Sequence, residues 1–106
     1  MKITFSGTVA VLDPELVVAL PAGTKAVALR FDREQRLVGI QARAGNDQVP
    51  GFRVLRPVFV RKNGQRWDTG EKAVWCAAFC RHYSMMSTAS VSVAWDEAHG
   101  MFVGRC

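Results

Sequence analysis

The chain has 106 residues, of which 49% are hydrophobic, and a net charge of +5. That length fits a single domain, residues 1–106, with one modest core, and so large an apolar share excludes a disordered chain. The longest apolar run, residues 73–80, is far short of the roughly 20 residues that a membrane-spanning helix needs, so a membrane is not an expected partner.

Residues 1–12 alternate between apolar and polar, with a break at Ser6-Gly7. They predict one long strand with a bend there rather than a secretion signal, and the cytoplasm is the expected location. Asp13-Pro14 marks a turn or a helix start. Glu15–Leu20 is short and holds two valines, which leans to a strand. Lys25–Phe31 and Leu37–Arg43 each offer one apolar face and predict a hairpin. Asp32–Arg36 between them lacks glycine, so the loop is longer than two residues.

Ala44–Gly51 is dense in Gly, Asn, Asp and Pro and reads as a loop. Phe52–Arg61 carries Pro57 at its middle. Proline has no N–H to donate, so this strand lies at a sheet edge or breaks there. Lys62-Asn63-Gly64-Gln65 is a tight-turn signal, because Asn-Gly accepts positive φ. Asp68-Thr69-Gly70-Glu71 has the spacing of a helix cap with Glu three residues on, and predicts a helix over about 69–82. Ser84–Ser90 reads as a loop. Val91–Trp95 and Met101–Arg105 predict a second hairpin around Asp96–Gly100. The expected fold class is α+β and mostly antiparallel β: a small barrel or strongly bent sheet, with that one helix before the C-terminal hairpin.

The positive charge is concentrated. Residues 30–66 hold nine of the fourteen Lys and Arg residues but three of the nine carboxylates, so they carry the whole excess. Most of these cations are Arg, whose planar guanidinium meets phosphate or carboxylate bidentately. Phe31, Phe52, Phe59 and Trp67 interleave with them. Arg on phosphate with aromatics on unpaired bases is the chemistry of nucleic-acid recognition. The candidate contacts are Arg30, Arg43, Arg53, Arg56, Arg61 and Arg66, with Phe59 or Trp67 stacking.

Other constellations are weaker. Three cysteines cannot all pair within one chain, and reduced thiols are the expectation. Cys76, Cys80, His82, His99 and Cys106 lack the two tight ligand pairs of a structural zinc site, so no metal is expected. His82 beside Tyr83 or Cys80 has no orienting third group or oxyanion donor. Asp96-Glu97 and the pair Asp68 and Glu71 read as a turn tip and a helix cap rather than acid–base pairs. No cofactor motif is present, and a binding protein is expected rather than an enzyme.

The leading expectation is a small basic protein that binds nucleic acid or another polyanion. A second is a protein-interaction or assembly module, such as a homodimer formed through the edge strand within Phe52–Arg61. A third is a small-molecule pocket lined by Trp75, Phe79, Tyr83, Trp95 and Met101.

Overall fold

The computed structural model describes residues 1–44, 51–83 and 89–106. The described chain is mostly antiparallel β, in two five-stranded sheets with two short helices. The first sheet contains β1 (Lys2–Phe5), β2 (Val9–Leu12), β6 (Arg56–Lys62), β7 (Gln65–Trp75) and β8 (Ala89–Ser92), in the order β6-β7-β2-β1-β8. The second contains β3 (Thr24–Asp32), β4 (Leu37–Ala44), β5 (Phe52–Val54), β9 (Ala94–Asp96) and β10 (Met101–Arg105), in the order β5-β3-β4-β10-β9. The helices are α1 (Pro14–Ala19) and α2 (Ala77–His82).

Strand alternation builds one core between the sheets. Ile3, Phe5, Ala10, Leu12, Val74 and Val91 enter it from the first sheet, and Val27, Val38, Ile40 and Phe102 from the second. The chain crosses from sheet to sheet through α1 and again at two single residues, Leu55 and Val93. Each is tied by its backbone N–H, Leu55 to the carbonyl of Lys25 and Val93 to that of Met1. At Gly104 the sheets approach so closely that a Cβ would be driven into the carbonyl oxygen of Ser92.

Several expectations change. The sheets stay open, so the small barrel is not formed. The strand expected over residues 1–12 reverses fully at Gly7, which takes φ 90, and becomes the hairpin of β1 and β2. Glu15–Leu20 is helical through Ala19: the Asp13 carboxylate accepts from the backbone N–H of Leu16, and Pro14 opens the first turn. The cap and the burial of Leu16 outweigh the valines. Val91 and Trp95 fall on different sheets, because the chain crosses between them.

The helix expected over about 69–82 covers only Ala77–His82, and residues 69–75 continue β7. The cap-like spacing is real but serves a β-bulge. Asp68 Oδ1 accepts from the N–H of Gly70, two residues on, and Gly70 sits at φ 81, where no helix can pass. β2 takes Lys72–Trp75 as its second partner strand, so cross-strand pairing wins over the local cap signal.

The glycine-free loop before Leu37 is four residues long, with Arg36 at positive φ and Asp32 Oδ1 accepting from Glu34 and Gln35. The expected loops over 44–51 and 84–90 fall largely on residues 45–50 and 84–88, outside the described residues.

Candidate nucleic-acid interface

The segment Phe52–Arg61 breaks at Leu55, and each half is an edge: β5 of the second sheet and β6 of the first. Pro57 lies within β6, opposite Lys72, where a missing N–H is tolerated. β6 and β7 outrun the rest of their sheet. Only Lys72–Trp75 of β7 pairs with β2, and beyond that point the two strands pair with each other alone. Every residue from 59 to 68 is exposed. Four paired residues per strand, 59–62 and 65–68, at about 3.3 Å rise give an arm of roughly 13 Å before the turn. The molecule is elongated accordingly, 47 Å along its longest axis against 30 and 25 Å.

The arm is defined at both ends. Its tip is Asn63-Gly64, at φ 51 and 76, with Lys62 paired to Gln65. Two positive φ values make a type I′ turn, whose twist matches that of the strands. Its root is the bulge at Thr69-Gly70-Glu71, where the Thr69 hydroxyl donates to the carbonyl of Val58 at 2.9 Å. A Cβ on Gly70 would touch Pro14 of α1 at 3.4 Å, so the root is seated against that helix.

Register separates the arm into two faces. Phe59 pairs with Asp68 and Arg61 with Arg66 on one face; Val60 pairs with Trp67 and Lys62 with Gln65 on the other. On the first, Arg61 and Arg66 occupy directly opposed backbone positions. Like charges in that position repel, and among the described residues no carboxylate forms an ion pair with either. Arg66 lies over the Phe59 ring, its Cζ 3.8 Å from the centroid, a cation–π contact. On the second face Val60 and Trp67 are 41% and 54% exposed. Arg56 is opposite Ala73 at the root, on the side of this second face.

The structure brings together Phe59, Arg61 and Arg66, and places Trp67 and Arg56 behind them. It puts the other three sequence candidates on the second sheet. Arg30 rims a shallow cleft of about 240 Å³ floored by Leu37, Gly39, Met101 and Val103, and hydrogen-bonds Gln41. Arg43 lies over the Phe52 ring at 5.5 Å. Arg53 is paired with Val27, so it points toward the core side of the edge and is half-buried. The residues that sequence reasoning used only as a turn, Lys62, Asn63 and Gln65, form the tip. The Asn-Gly signal located that tip. The arm's length was hidden because residues 69–75 read as helix.

The remaining constellations are scattered. Cys76 and Cys80 are buried with their sulfurs 3.5 Å apart. Burial, then the hydrogen bond and charge of Cys80, push the Cys76 thiol from 9.0 up to about 12, against the opposing pull of Arg53. Cys106 donates to the carbonyl of Arg36, His82 packs edge-on against Tyr83, and His99 bonds Asp96 in the β9–β10 turn. That bond with His99, ahead of the backbone N–H groups, holds the Asp96 carboxyl below its usual value. Among the described residues no three potential ligands gather for a metal. Of Trp75, Phe79, Tyr83, Trp95 and Met101, only Met101 lines the cleft. No family model, no curated protein and no solved structure matches the chain.

Proposed function

We propose that this chain is a nucleic-acid-binding protein of the cytoplasm that holds its ligand through the β6–β7 arm. The observation that carries the reading is the Arg61–Arg66 pair: two exposed arginines at directly opposed positions of one ribbon, neither ion-paired to a carboxylate among the described residues. A folded domain gains nothing from that repulsion, whereas the acceptor groups of a bound nucleic acid satisfy both. Over residues 56–68 the arm carries four cations and a single carboxylate. The test is a fluorescence-polarisation titration of labelled nucleic acid at increasing salt. With three or four phosphates neutralised, log K falls against log salt with a slope of about −3. Arg61→Ala with Arg66→Ala lowers affinity at least about tenfold at every salt concentration. Absence of binding at low salt, or a double variant that binds like the parent, contradicts the proposal.

A second reading is self-assembly, favoured by one observation: β6 is an open edge with Val60 and Trp67 exposed beside it. The edge is guarded, however. Pro57 interrupts its donors, and Arg56, Arg61 and Lys62 repel a second copy of the same strand. Light scattering separates the readings, since assembly through β6 gives a stable dimer without nucleic acid.

A further inference from the structure

We infer that the arm is shaped for the major groove of double-stranded DNA rather than for single strands. This rests on the nucleic-acid reading above and names the form of ligand. A single-strand platform stacks successive bases on aromatic rings that share a face. Here Phe59 and Trp67 fall on opposite faces of the ribbon, so no face offers two rings in sequence. The Phe59 ring is moreover already covered by Arg66 at 3.8 Å. The arm therefore lacks the platform that unpaired bases need.

What it has instead is a freestanding two-stranded ribbon. The major groove of B-form DNA is about 12 Å wide and admits such a ribbon. The duplex RNA groove is deep and too narrow for side chains to read, so DNA is the partner. An arm of roughly 13 Å follows about four base pairs at 3.4 Å each. With the cationic face toward the base edges, Arg61 and Arg66 present planar donors to guanine O6 and N7, the commonest specific contact in that groove. Arg66 is already held over the ring beneath it, so less freedom is lost on binding. At the tip, Lys62 and the Gln65 amide lie on the opposite face and meet flanking phosphates rather than base edges. The face bearing Val60 and Trp67 then points out of the groove.

The test compares one labelled sequence in three forms under the same salt: duplex DNA, its separated strand, and the matching RNA duplex. Duplex DNA binds more tightly than either other form by about tenfold or more, the discrimination of one good base contact. Methyl green, a major-groove ligand, displaces the protein, and a minor-groove-binding polyamide does not. Arg66→Lys keeps the charge but loses the fork, and lowers duplex affinity several-fold while leaving the salt slope unchanged. If the separated strand binds as tightly as the duplex with a steep salt slope, the groove inference is overturned and the nucleic-acid reading stands. If none of the three binds, both are overturned.

Discussion

Cys76 shows how a single side chain ties the fold to pH. It is fully buried at the start of α2, against Cys80. Its thiol is raised in the folded protein to about 12 from an ordinary 9.0. The unfolded chain therefore sheds this proton near 9.0 while the folded chain still holds it. The stability that follows is fully present below pH 9.0 and is lost as the pH rises toward 12. For one proton the loss is about 1.4 kcal/mol per pH unit across that window. Urea unfolding at pH 8, 9.5 and 10.5, compared with Cys76→Ala, isolates it: the parent loses stability faster with pH than the variant. Parallel curves would show that the thiol is not held protonated by the fold. On the arm, the setting of Arg66 over Phe59 governs geometry.

The arm is the element that departs most from a well-packed domain. An isolated two-stranded hairpin is marginal in water. This one persists because it is anchored at both ends, by the Asn63-Gly64 turn and by the bulge at Gly70 against Pro14. Its arginines do not contribute to that anchoring. Arg61→Ala with Arg66→Ala removes a like-charge repulsion and one exposed cation–π contact, each worth roughly 0.5–1 kcal/mol with opposite sign. The double variant therefore unfolds within about 0.5 kcal/mol of the parent in urea. A loss above about 2 kcal/mol would make these residues structural and remove them from the binding face. Much of this element was legible: Pro57 marked an edge, Asn63-Gly64 marked the tip, and the alternation of Val58 and Val60 with Phe59 and Arg61 marked the faces. The second strand was not. Asp68-Thr69-Gly70-Glu71 has the residues of a helix cap, and the same side chains cap a bulge when a neighbouring strand supplies partners. Local sequence cannot show that β2 is waiting beside Lys72–Trp75, because that pairing spans some sixty residues.

At the scale of the molecule, the positive charge that is contiguous in sequence is divided by the fold. The break at Leu55 sends Arg53 to the second sheet and Arg56 to the first. Six arginines that read as one patch thus become a pair on the arm, one at its root, and three on the other sheet. The mostly antiparallel β character was legible from the alternation of strands such as β1, β2 and β10. The partition was not, since the crossings at Leu55 and Val93 are single residues with no loop signature. The division also makes the proposed site distinguishable from any general attraction of a basic protein for a polyanion. The most direct measurement is a map of backbone amide chemical-shift changes on titration with a short DNA duplex. The account predicts the largest changes across residues 58–69, and small ones at Arg30 and Arg43. Changes centred on the outer face of the second sheet, with the arm unmoved, would contradict it.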